Sequence, residues 1–217
     1  MDKFSIFFAR LISCIFHPVF MPTIGMIVIY FVGNVPGFNS YSIKSDKYTA
    51  LLTIAILFIS TSIIPLFITV LLKQLKIISS LQMPDREERK IPFALTCFCY
   101  FYAYYLLKHH LELNLNGLIF YFIFFGMFAT ILGFFITLSW KISIHMIGIG
   151  GIAGILTLLS KTSDPPLLYP LIITILCAGL IAFSRLQLNA HNSKQIIAGF
   201  CLGFGCEMLG LFYLVSY

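Results

Sequence analysis

Charge is what this sequence has least of. Only 10% of its 217 residues are charged and 8 are acidic, against 59% that are hydrophobic. So little polar surface cannot cover a water-soluble globule, so a soluble fold is excluded and lipid has to do the covering. The six cysteines sit inside apolar stretches in no metal-ligand spacing, which leaves them as small hydrophobes and implies neither a disulfide framework nor a metal site. The N-terminal run Phe4 to Phe8 is interrupted by Arg10 and followed by no small-residue cleavage site, so it reads as retained and not as a signal peptide.

What is present is a series of apolar segments near the length of about 20 residues that a membrane-crossing helix needs. They run from Pro18 to Val32, Tyr48 to Leu72, Pro92 to Leu107, Gly117 to Ser139, Ile142 to Leu159, Leu167 to Phe183 and Ile196 to Tyr217. The expected fold is all-α, a polytopic transmembrane bundle of six or seven helices forming a single integral membrane domain over residues 1–217. Residues 1–16 could extend the first span or lie flat as an interfacial helix, with Lys3 and Arg10 two turns apart and His17-Pro18 as the elbow. Pro65 is tolerable inside its span if neighbours satisfy the freed carbonyl. The polar links Lys108-His109-His110-Leu111-Glu112 and Lys161-Thr162-Ser163-Asp164-Pro165-Pro166 separate later spans. Clustered glycines, Gly148, Gly150, Gly151 and Gly154, suit close helix contact.

Net charge is +6, which in a membrane protein fits loops at an anionic surface or a site for an anionic ligand better than nucleic acid. If every segment crosses, the loops 73–91, 140–141 and 185–194 emerge on one side, and that side carries three polar clusters. The first is Pro84-Asp85-Arg86-Glu87-Glu88-Arg89-Lys90-Ile91-Pro92. As a helix it would put Arg86, Arg89 and Lys90 on one face as a phosphate clamp; otherwise it is a solvated loop. The second is Trp140-Lys141-Ile142-Ser143-Ile144-His145-Met146, where Ser143 could cap a helix whose N-terminal amides would attract an anion. His145 there is either an interfacial packing residue or a proton donor. The third runs from Ser184-Arg185 to His191-Asn192-Ser193-Lys194-Gln195; Asn192 or Ser193 could cap the last helix, and Gln195 stands four residues from His191.

Ser184-Arg185, five residues, His191, three residues and Gln195 resemble the third motif of the type-2 phosphatidic acid phosphatase superfamily, Ser-Arg-x5-His-x3-Asp, with Gln195 in place of the aspartate. Ile142-Ser143-Ile144-His145 keeps the serine and histidine of that family's Pro-Ser-Gly-His motif, and Arg89-Lys90-Ile91-Pro92 keeps cations and a proline of its first motif without the spacing. The resemblance implies a phosphatase-like core over residues 48–217 that hydrolyses a lipid phosphate or diphosphate without metal or other cofactor. It implies His191 as the nucleophile forming a phosphohistidine, oriented by Gln195. His145 would be the leaving-group acid, and Arg185, Ser143, Arg86, Arg89 and Lys90 would be the phosphate ligands. Partners would then be a lipid phosphate substrate and membrane lipids, in a multi-pass protein expected in a bacterial inner membrane. Two alternatives stay open: a lapsed relative that binds lipid phosphates without cleaving them, motivated by Gln195 and Ile144, and a small transporter subunit, motivated by Glu207 inside the last span. Against the transporter, no inverted repeat of broken helices is visible.

Overall fold

A computed structural model describes residues 3–33, 47–81, 83, 85–109, 117–162 and 167–215. Side chains of 31–33, 86, 117, 161–162 and 211–215 lie outside the described set, as do the linker residues 110–116 and 163–166 and Pro84. Among the described residues the chain is all-helical. Four helical runs are long and apolar enough to cross a membrane, namely Lys3–Tyr30, Lys47–Gln74, Leu118–Ser139 and Leu168–Gln187, with Ile144–Ser160 a shorter apolar helix.

The first run is broken where the sequence suggests an elbow. Helix α1 (Lys3–Ile15) stops before Pro18, a single 3-10 turn covers Pro18–Phe20, and α2 (Met21–Gly33) follows. Pro18 suits the first position of that turn, because its missing N–H is one that has no partner there anyway. The next run is also interrupted: α3 (Lys47–Phe58) passes through a π turn at Ile59–Ile63 into α4 (Ile64–Gln74), just ahead of Pro65, whose missing N–H disturbs the regular ladder. The turn carries the buried Ser62, whose hydroxyl donates to the Val19 carbonyl at 2.8 Å, and so ties the second run to the elbow of the first.

α5 (Arg86–His109) begins six residues ahead of Pro92, so the first charge cluster is helical from Arg86 onward. Glu87 and Glu88 in its first turn complement the positive end of the helix. α6 (Gly117–Ser139) has the bounds expected from its apolar run. α7 (Ile144–Thr162), α8 (Leu168–Gln187) and α9 (Ser193–Val215) complete the bundle.

α7 and α9 pack backbone to backbone on glycine. A Cβ added at Gly203 would collide with the Ile147 carbonyl, one at Gly150 with the Phe200 carbonyl, and one at Gly199 would stand 2.5 Å from the Ser143 carbonyl. In a bundle without a hydrophobic drive between helices, such close approach supplies the packing energy, and it fixes the starts of both helices against each other. The Ser143 N–H donates to the Gln195 carbonyl at 3.3 Å across that seam.

Candidate functional site

The site grows from the end of α8. Ser184 and Arg185, read from sequence as the start of a loop, instead form its last turn. Asn189 then takes a left-handed backbone conformation (φ 49°), as a residue just beyond a helix C-terminus often does. The chain folds back, and the amides of Ala190 and His191 both reach the Arg185 carbonyl, at 3.0 and 3.4 Å. The five-residue gap between Arg185 and His191 is therefore the length of a helix cap, and the cap sets His191 over Arg185.

His191 is fixed next by the start of α9. Asn192 caps that helix: its Oδ1 accepts the Gln195 N–H at 3.0 Å while Gln195 Oε1 accepts the Asn192 N–H at 3.2 Å, a reciprocal capping box. The same Oε1 lies 3.2 Å from His191 Nδ1. An oxygen can only accept, so Nδ1 carries the proton and Nε2 keeps its lone pair. Burial, and then the positive charges of Arg185, Arg89 and Lys141, push the His191 pKa down to about 3, partly offset by the Gln195 hydrogen bond. The ring is neutral at physiological pH. Lys141, in the link before α7, is itself lowered by burial first and by Arg89 and Arg185 second.

Arg185 is anchored through α1. Its Nη1 donates to Ser13 Oγ at 3.0 Å. Ser13 and Ser184 hydroxyls lie 2.6 Å apart, and Ser184 donates to the Ala9 carbonyl at 2.6 Å. With that proton committed, Ser13 must donate to Ser184, giving one unbroken chain of donors from Arg185 to the α1 backbone. Gln187 Nε2 adds a donation to Ser5 Oγ at 2.9 Å along the same seam. Arg185 Nε, by contrast, is buried without a hydrogen-bond partner among the described residues.

His145, in the first turn of α7, also leans on α1, its Nε2 lying 3.2 Å from the Ser13 carbonyl. A carbonyl only accepts, so Nε2 carries the proton and Nδ1 is the nitrogen left for chemistry. The His17 ring packs edge-to-face on it, with centroids 5.6 Å apart.

These groups share a cavity of about 890 Å³, lined at its polar end by Arg10, Ser13, His17, Arg89, Lys141, His145, Arg185 and His191. The remaining wall is largely apolar, with Met21, Leu57, Phe122, Ile123, Met127 and Ile152, and it includes Glu207, 2% exposed. Of the residues expected from sequence, the structure thus brings His145, His191, Arg185 and Arg89 together, with Gln195 behind His191. Lys90 is not on the cavity and pairs with Glu87. Ser143 is not on it either; its hydroxyl is buried with no partner among the described residues, while its carbonyl accepts from Met146 and Ile147. Arg86 opens α5, and its side chain lies outside the described residues. Arg89 donates from Nε to the Met83 carbonyl at 2.7 Å, which holds the loop before α5 against the site.

Sequence reasoning missed Ser13, and took His17 only as an elbow. Both act across more than 125 positions of chain, and the cavity therefore extends beyond residues 48–217 to the N-terminal helices. Among the described residues no group of three or more His, Cys, Asp or Glu could hold a metal ion. Compared with protein-family models, curated proteins and solved structures, the chain matches none.

Proposed function

We propose that this is a membrane phosphatase that cleaves a lipid phosphate or diphosphate, such as phosphatidic acid, a polyprenyl diphosphate or a phosphorylated glycolipid, through a phosphohistidine. The observation that carries the reading is Arg185: one nitrogen is anchored on Ser13, and a buried Nε–H is left partnerless on a cavity that His145 and His191 also line. A guanidinium held in this way offers a preoriented donor to a phosphoryl oxygen, and phosphoryl transfer depends mainly on such positioning and charge. Arg89 and Lys141 also line the cavity and add positive charge to it.

In this reading the lone pair of His191 Nε2 attacks phosphorus and the bond to the lipid oxygen breaks. That oxygen takes a proton from Nδ1 of a protonated His145. Water then gives a proton to Nδ1 of His145 and attacks the phosphohistidine, the N–P bond breaks and phosphate leaves, so that His191 returns to its neutral form and His145 to its protonated one. The apolar wall receives the hydrocarbon of the substrate. The proposal includes six or seven crossings of a bacterial inner membrane, with α5, α7 and α9 added to the four apolar runs. Phosphate release from these lipids by the detergent-purified protein tests it: release is expected, and release that survives unchanged in His191→Ala removes the proposed nucleophile.

A second reading is binding without turnover, favoured by Gln195. Its Oε1 carries no formal charge to stabilise an imidazolium and is shared with the Asn192 N–H. In that case anionic lipid would bind in an Arg185-dependent way with no phosphoenzyme formed.

A further inference from the structure

The elbow between α1 and α2 carries an imidazole that the mechanism above does not use. His17 lies on the same cavity as Arg185, His145 and His191, and its Nδ1 is buried with no hydrogen-bond partner among the described residues. Leaving a ring nitrogen desolvated and unpaired costs free energy, and native structures seldom accept that cost without a use. The ring is also held in place. Its carbonyl accepts from the Phe20 N–H at 2.9 Å, Pro18 fixes the turn that follows, and the next carbonyl but one, that of Val19, is bonded by Ser62. Its edge-to-face contact with His145 sets the ring plane. Packing alone would account for the ring. It does not account for an unpaired nitrogen on a residue that shares the cavity with Arg185, whose Nε is also without a partner among the described residues.

We infer that His17 is a third ligand of the anion site, donating from Nδ1 to an oxygen of the phosphoryl group held by Arg185, so that the N-terminal elbow completes the binding site. The inference rests on reading the cavity as a phosphoryl site, but it does not require turnover. The ligand chemistry is a phosphate monoester dianion or free phosphate, and the cations at that end of the cavity, Arg185, Arg89 and Lys141, suit either.

Two substitutions separate donation from packing. His17→Phe keeps an aromatic ring against His145 and removes the nitrogens. His17→Asn gives up the ring and places an amide N–H close to where Nδ1 stood. Binding of inorganic phosphate, and in a second arm of a short-chain phosphatidic acid, would be measured by calorimetry on the full-length protein in detergent, with thermal unfolding as a control for folding. Because a hydrogen bond to a charged group is worth more than one between neutral groups, His17→Phe should weaken binding about tenfold or more, and His17→Asn should recover most of that loss. Loss in the phosphatidic acid arm alone is expected if the ligand is the lipid headgroup, and loss in both arms if free phosphate also binds. Wild-type affinity in His17→Phe, an equal loss in both variants, or a wild-type protein that binds neither ligand would overturn the assignment. Binding without phosphate release would defeat the phosphatase reading and leave the role of His17 standing.

Discussion

His145 and His191 face one cavity and are held in opposite ways. His191 is fixed by its neighbours: the cap of α8 behind it, the capping box of α9 ahead of it, and Gln195 on its Nδ1. His145 is fixed from the other end of the chain, by the backbone of Ser13 and the ring of His17. The two modes leave opposite nitrogens available, Nε2 on His191 and Nδ1 on His145. In the proposed reading His191 is the nucleophile in the tautomer its acceptor sets, and His145 serves as acid only once Nδ1 is protonated as well. A local scaffold positions one imidazole, whose pKa still answers to Arg89 and Lys141, and a long-range one makes the other depend on how α1 docks on α8.

The comparison can be broken most directly at the proposed nucleophile. His191→Ala should abolish lipid-phosphate hydrolysis in a phosphate-release assay, whereas His145→Ala should leave a residue of activity, lower by about 10²- to 10⁴-fold, the usual span for a positioned acid. Equal residual rates in the two variants would erase the distinction between their roles. Gln195→Ala removes the acceptor from both His191 and the Asn192 amide. With an unpaired buried donor costing about 1–3 kcal/mol, turnover should fall about tenfold or more. Ser13→Ala is a milder probe of the long-range arm, since the carbonyl that holds His145 survives and only the hydroxyl under Arg185 is lost. KM should rise a few-fold with kcat nearly unchanged, and a change confined to kcat would show that Ser13 acts on His145 after all.

The smallest effect is on pH-dependent stability. With its pKa at about 3 in the fold and an ordinary value of 6.5 when unfolded, His191 binds fewer protons folded than unfolded throughout that window. Acidification from pH 6.5 towards 3 therefore destabilises the protein through this group, and stability is complete above 6.5. His191→Asn should flatten the fall of the unfolding temperature between pH 6.5 and 4. A slope identical to wild type would mean that the ring is not held neutral.

What could be read in the sequence follows the same division. The apolar run Gly117 to Ser139 is α6 to the residue, because no charge or proline intrudes on it and the Thr130 and Thr137 hydroxyls donate to carbonyls one turn back. The spacing of His191 to Gln195 is one helical turn and gives the contact directly. α8, expected to stop at Phe183, continues through Arg185, because α1 supplies partners for Ser184, Arg185 and Gln187 that let polar residues stay in the helix. α5 begins at Arg86 instead of Pro92, since Pro92 gives up only one ladder donor and the acidic first turn suits a helix start. Ser143 fits its expected place as a helix start, but its hydroxyl turns into the protein and not onto the cavity. None of the contacts from Ser13 or His17 has a periodic signature; they exist only once α1 lies against α8.

The central claim is tested most directly by a rapid acid-free quench of the detergent-purified protein during turnover of phosphatidic acid radiolabelled in its phosphate. The account predicts a protein-bound phosphate that is stable to alkali, labile to acid, and absent from His191→Ala. Phosphate release with no such intermediate, or a labelled intermediate that persists in His191→Ala, would contradict it.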